Sequence, residues 1–184
     1  MTRIAIIGNA GGGKSTIARK LRDLLGLPLH PIVELQWRPG WRATPKEEFA
    51  ETHVRLLAGP RWIIDGWGDF DAIEERFRRS DTIVLVDYPL WRHYWWAIKR
   101  QFMCLFRSRI DGPSGCPMLP MTWPLLKMLW AIDKHAMPRL RSLVDSQRDR
   151  KEVFHIQTFS ELWAFYREAE RHAKLRNADG SVAP

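Results

Sequence analysis

Nine consecutive residues, Gly8-Asn9-Ala10-Gly11-Gly12-Gly13-Lys14-Ser15-Thr16, satisfy the pattern G-x-x-x-x-G-K-[ST]. Glycines in such a run let backbone N–H groups turn inward around a phosphate with no Cβ in the way. Lys14 is spaced to reach the β- and γ-phosphates of a nucleoside triphosphate, and the Ser15 hydroxyl is a hard oxygen donor for Mg²⁺. Residues Gly8 to Thr16 are therefore read as nucleotide-binding. Their setting agrees, because an apolar run, Ile4 to Ile7, precedes them. From Lys14 onward Ile17, Ala18, Leu21, Leu24 and Leu25 recur at helical spacing, so a helix N-terminus faces the anion until Gly26 and Pro28 end it.

A metal held by Ser15 needs a carboxylate opposite, and two apolar runs end in one: Trp62-Ile63-Ile64-Asp65-Gly66 and Ile83-Val84-Leu85-Val86-Asp87. Each places an Asp where a buried strand emerges at the ligand-bearing edge of a parallel sheet. Asp65 is the favoured metal carboxylate, since Gly66 permits close approach of a ligand, with Asp87 as the alternative. Cations that could neutralise a transferring phosphoryl group gather near residue 100. Arg100, Arg107 and Arg109 are the candidates, since guanidinium groups bind phosphate oxygens with planar, bidentate geometry. Lys99 reads as part of a solvated helix face.

Elements must hold these groups in place. Besides the first strand, short apolar runs at Leu27–Val33, Arg61–Asp65, Thr82–Asp87 and Glu152–Gln157 are predicted strands. Helical patterns separate them: Lys46 to about Leu57 after Thr44-Pro45, Asp71–Arg79, Pro89 to about Phe106, and Trp123–Val144 with Leu126, Leu129, Trp130 and Ile132 buried. A last helix follows Ser160. Strands alternating with helices predict an α/β domain with a buried parallel sheet. Ser108 to Pro124, with two glycines and four prolines, interrupts this rhythm and reads as a lid of about residues 107–122. Residues 177–184 read as a flexible tail. Trp91, Trp95 and Ile98 recur at helical spacing and are expected to pack in the core; interleaving with Arg92, Lys99 and Arg100 allows an interfacial helix or a base-stacking surface instead.

The chain has 184 residues, enough for one domain with a full core. A net charge of +8 suits a polyphosphate cleft, nucleic acid or an anionic surface and cannot choose among them. Cys104 and Cys116 are the only cysteines, which supports neither a disulfide framework nor a zinc site. The P-loop strand lies close to the first residue and no apolar run reaches membrane-spanning length, so a cytoplasmic protein without membrane contact is expected.

Together the P-loop, Trp37-Arg38-Pro39-Gly40-Trp41 followed by Thr44-Pro45, Arg61-Trp62-Ile63-Ile64-Asp65-Gly66, Val86-Asp87-Tyr88-Pro89 and Gly115-Cys116-Pro117 resemble the adenylate-kinase-like P-loop proteins of the DNA topology modulation, FlaR-type, family. That resemblance implies a three-layer fold of the nucleoside monophosphate kinase type, a five-stranded parallel sheet with a small lid, and ATP and Mg²⁺ as ligands. The acceptor side departs from the family pattern. Pro31, Ile32 and Val33 stand where relatives carry His-x-Asp, leaving Glu34 as the nearest carboxylate, and Leu90 replaces an Arg. Transfer of phosphate from ATP to a nucleotide or another small acceptor, or slow ATP hydrolysis, is the expected activity. The acceptor is expected against the Glu34–Trp41 loop and the start of the 67–76 segment. The alternative is a regulator that binds nucleic acid.

Overall fold

The computed structural model describes residues 1–103 and 119–178. Five strands form one parallel sheet in the order β2-β5-β1-β6-β7, with β1 Arg3–Gly8 at its centre, β2 Leu29–Pro31, β5 Trp62–Asp65, β6 Thr82–Val86 and β7 Glu152–Ile156. Both faces of the sheet are covered, and side-chain alternation shows how. Ile4 and Ile6 of β1, with Val84 and Val86 of β6, pack on α1 (Lys14–Leu25) and α8 (Phe159–Ala178) through Ile17, Leu21, Phe165 and Ala169. Ala5 and Ile7, with Ile83 and Leu85, turn to α3 (Lys46–Ala58), α4 (Phe70–Arg79) and α7 (Met137–Asp145) through Phe49, Leu57, Phe77 and Leu140. Truncating a central residue such as Ile6 to Ala would cost about 2–5 kcal/mol, because neighbours this tightly packed collapse only partly. These layers bear out the expected three-layer architecture.

Three elements differ from expectation. The second strand stops at Pro31, and Ile32–Gln36 forms a short helix, α2, with Pro31 as its N-cap. It leads into a two-stranded hairpin, β3 Trp37–Arg38 with β4 Arg42–Ala43. The expected helix over 123–144 is broken into α6 (Thr122–Ala131), a π-helical turn at Ile132–Ala136, and α7. Pro138 is the cause: its ring crowds the carbonyl four residues back and it has no N–H to give, so the ladder widens and the Met137 N–H reaches Ile132 O. Leu125 and Leu129 are the buried α6 residues, whereas Trp130 is half exposed. The third difference is α5 (Leu90–Met103), which buries His93, Ala97 and Gln101 and leaves Trp91, Trp95 and Ile98 exposed, the reverse of the expected core face.

The expected lid lies mostly outside the described residues, as do Cys104, Cys116 and residues 179–184. Its end is helical, a 3₁₀ turn at Leu119–Met121 running into α6, and α8 extends further toward the C-terminus than expected.

Candidate functional site

The glycine-rich turn runs from β1 into α1, and the surrounding packing requires its composition. A Cβ on Gly8 would sit 2.0 Å from Val86 O on the neighbouring strand, at a φ of +142°. A Cβ on Gly12 would meet the His93 ring at 2.8 Å. Gly13, in the left-handed conformation, is the N-cap of α1; no side chain caps that helix and no acidic residue lies in its first turn. The first N–H groups and the positive end of a twelve-residue helix are thus open to an anion. Asn9 is buried and ties the turn down, donating from Nδ2 to Leu129 O at 2.9 Å and accepting at Oδ1 from the Ala10 N–H at 2.8 Å. Thr16 stays exposed, its hydroxyl accepting from Arg19 at 3.4 Å.

Beside the turn the structure brings Lys14, Ser15 and Asp65 together. The Ser15 hydroxyl donates to Asp65 Oδ2 at 2.8 Å, while Asp65 Oδ1 is buried with no hydrogen-bond partner. Lys14 Nζ donates to the Asn9 carbonyl at 2.8 Å. Burial pushes the Lys14 pKa down and the Asp65 pKa up; the attraction between the two opposes both shifts without cancelling them. Arg100 on α5 also lowers the Lys14 pKa through its charge, which places this predicted residue beside the P-loop. Arg107 and Arg109 lie outside the described residues. A hydroxyl and a carboxylate with a spare, buried oxygen form a hard donor set, and they fit a Mg²⁺ ion that keeps several waters.

The segment after Asp65 is held by a residue that sequence reasoning passed over. Arg76 of α4 is fully buried and donates from Nη1 to Gly66 O at 2.6 Å and from Nη2 to Trp67 O at 2.8 Å. Its Nε reaches His53 Nε2 at 3.4 Å. Burial and then the Arg76 charge drive His53 down to about 4, so its ring is neutral and accepts. Trp67 closes the circuit, its indole N–H donating to Gly8 O at 2.7 Å. The signal was present in α4: Arg76 falls on the face of Ile73 and Phe77, where an unpaired arginine would not be placed.

Asp87, the alternative metal carboxylate, is already saturated. Arg141 binds it through two hydrogen bonds of 2.8 Å, and His155 Nε2 lies 2.8 Å from Oδ2. Burial pushes its carboxyl up, but the bonds from Arg141 and His155 outweigh this and bring it down to about 2. His93, also unforeseen, bridges α5 to the P-loop, with Nδ1 2.8 Å from Ala10 O and Nε2 3.1 Å from Tyr88 O.

On the expected acceptor side, Trp37 and Trp41 meet edge to face, 5.7 Å apart, across the hairpin, and Glu34 is exposed on α2. Asp69 is engaged as the N-cap of α4, accepting from the Ala72 N–H at 2.7 Å.

A central β1 that delivers its glycine-rich turn to an uncapped helix, within a five-stranded parallel sheet covered on both faces, defines a three-layer α/β P-loop fold of the nucleoside monophosphate kinase type. Among solved structures the chain is similar to shikimate kinase from Acinetobacter baumannii in complex with shikimate, at 17% identity and a TM-score of 0.49, covering 100% of this chain and 96% of that one. It is also similar to the Bacillus subtilis YorR protein in complex with phosphorylated GDP, at 13% identity and a TM-score of 0.43, covering 92% and 98%. A sugar kinase from a Janibacter species matches at 16% identity and a TM-score of 0.42, covering 85% and 86%. No family model matches the chain, and no curated protein does.

Proposed function

We propose that this protein transfers the γ-phosphoryl group of ATP, as its Mg²⁺ complex, to a small acceptor. The observation that carries the reading is the buried Asp65 carboxylate, one oxygen on Ser15 and the other unpartnered, beside Lys14 and the uncapped start of α1. The resemblance to FlaR-type proteins supports the same reading and makes a nucleotide-like acceptor the first class to test.

Backbone N–H groups of Gly11 to Ser15 cradle the β- and γ-phosphates. Lys14 exchanges the Asn9 carbonyl for a phosphate oxygen, which adds a second counter-charge to that of Asp65 beside its buried ammonium. Ser15 and, through water, Asp65 would hold Mg²⁺, which when bound neutralises charge on the phosphate oxygens. Arg100 adds a guanidinium on the α5 side, and Arg107 and Arg109 are assigned the same task from sequence. The acceptor hydroxyl attacks the γ-phosphorus as the bond to the ADP oxygen breaks, and its proton leaves to solvent. The Glu34–Trp41 segment and the loop held by Arg76 position the acceptor.

The test is label transfer from γ-labelled Mg·ATP over a panel of nucleoside monophosphates, nucleosides and sugars, with wild type, Lys14→Ala and duplex DNA as a further arm. A phosphorylated product that disappears in folded Lys14→Ala supports the proposal. Equal turnover by the two proteins, or stimulation by DNA alone with no phosphorylated acceptor, overturns it.

A further inference from the structure

The face of α5 opposite the P-loop has a composition that the phosphoryl-transfer reading does not use. Trp91 and Trp95 are each 63% exposed and Ile98 is 52% exposed, at spacings of four and three residues that align them along one side of the helix. Phe102 continues the line. Lys99 flanks it, exposed to solvent, and the part-buried Arg92 lies with its guanidinium 5.3 Å from the Trp91 ring and 4.8 Å from the Phe159 ring. Helix α6 adds exposed Trp123 and Trp130, with Lys127 Nζ 5.7 Å from the Trp123 ring. Neither helix contains a single Asp or Glu, in a chain that has 21 of them.

We infer that this aromatic and basic face of α5, helped by the exposed tryptophans of α6, docks the protein on an anionic lipid surface. Large apolar side chains left in water on one helical stripe mark an interaction site. Tryptophan suits the boundary between headgroups and acyl chains, because its ring is apolar while its indole N–H still needs a partner. The charges complete the match, since cations flanking the stripe meet anionic headgroups and neither helix carries a carboxylate of its own. No helix among the described residues is long and apolar enough to cross a membrane, so the contact is peripheral, with α5 lying along the surface.

Two other occupants fit less well. A second copy in a two-fold interface would set this carboxylate-free face against itself, cation against cation. Single-stranded nucleic acid stacks on aromatic rings, but Ile98, Met103 and Met128 offer it no π-face.

The experiment is co-sedimentation of the full chain with vesicles of phosphatidylcholine, with and without phosphatidylglycerol, while following tryptophan emission. Binding is expected only with phosphatidylglycerol, with a blue shift. Trp91→Glu/Trp95→Glu should lower the partition coefficient at least about tenfold, whereas Trp163→Glu, at an exposed site on α8, should leave it unchanged. Lys99→Glu, which removes no apolar packing, should weaken binding by about threefold to tenfold and tests the proposal even if the double variant fails to fold. Absence of binding by wild type, equal binding to neutral vesicles, or equal binding by the double variant overturns it. So does a concentration-dependent dimer, or binding of single-stranded DNA, that the double variant abolishes while vesicle binding persists.

Discussion

Two aspartates end the buried strands on either side of β1 in almost the same sequence setting, yet the fold treats them in opposite ways. Asp87 is surrounded by Arg141 and His155, which supply three contacts of 2.8 Å and hold its carboxyl down to about 2. Asp65 has one hydroxyl donor and one bare buried oxygen, and burial raises its pKa. A buried charge whose partners are all present contributes to stability; one left partly unsatisfied costs stability and is ready for a ligand. The difference separates a structural ion pair from the carboxylate proposed to hold the metal.

The largest expected effect would break the comparison outright. Asp65→Asn should lower phosphoryl transfer by about 10²–10³-fold with only a small change in thermal midpoint, because the amide carries no buried charge but also takes a counter-charge from Lys14. A fall in midpoint as large as that of an Asp87 variant would show that Asp65 is structural as well. Next comes Arg76→Met, which strips two part-buried carbonyls, Gly66 O and Trp67 O, of their donor. It should cost about 2–4 kcal/mol in denaturant unfolding and weaken Mg·ATP binding through the displaced segment beside Asp65.

Asp87→Asn should cost about 2–3 kcal/mol, since it leaves Arg141 without its counter-charge, yet reduce turnover far less than Asp65→Asn. The pH dependence sharpens this. Asp87 titrates near 2 in the folded chain against an ordinary 3.8, so its contribution is complete above about pH 4 and disappears as the pH falls toward 2. His53 is held near 4 against an ordinary 6.5, so its contribution is present above about pH 6.5 and is lost as the pH falls to about 4. Stability measured from pH 7 to 2 should therefore fall in two stages, with Asp87→Asn shrinking only the lower one, to which Asp81 and Glu75 also contribute. The smallest effect belongs to Arg139→Ala, an exposed residue paired with Glu74 at 3.2 Å and lying 4.0 Å over the Phe70 ring, which should change stability by less than about 1 kcal/mol.

Much of the donor side was legible because local rules govern it. The Gly8–Thr16 turn and the helix after it follow from residue types and spacing alone, and the alternation of strands and helices led to the parallel sheet. Ranking Asp65 over Asp87 rested on Gly66, and the geometry gives a firmer reason through partners contributed by α7 and β7. The α5 helix misled for a physical reason. Hydropathy assigns the Trp91, Trp95 and Ile98 face to the interior, but the helix must approach the P-loop closely, and there Ala97 Cβ already lies 3.6 Å from where a Cβ on Gly11 would be. Small and polar residues, Ala97 and His93, are therefore the ones turned inward.

Sequence by itself determined the glycine-rich turn, the open end of α1, the carboxylate-tipped strands and the layered class of the fold, because each depends on patterns among residues close in the chain. Only the tertiary structure decided that Asp87 is saturated, that Arg76 and His53 support the segment after Asp65, and that α5 exposes its tryptophans. Those outcomes depend on residues 23 to 68 positions apart meeting in space, as Arg76 meets His53 and His155 meets Asp87, and no local pattern specifies which of several candidate partners arrives.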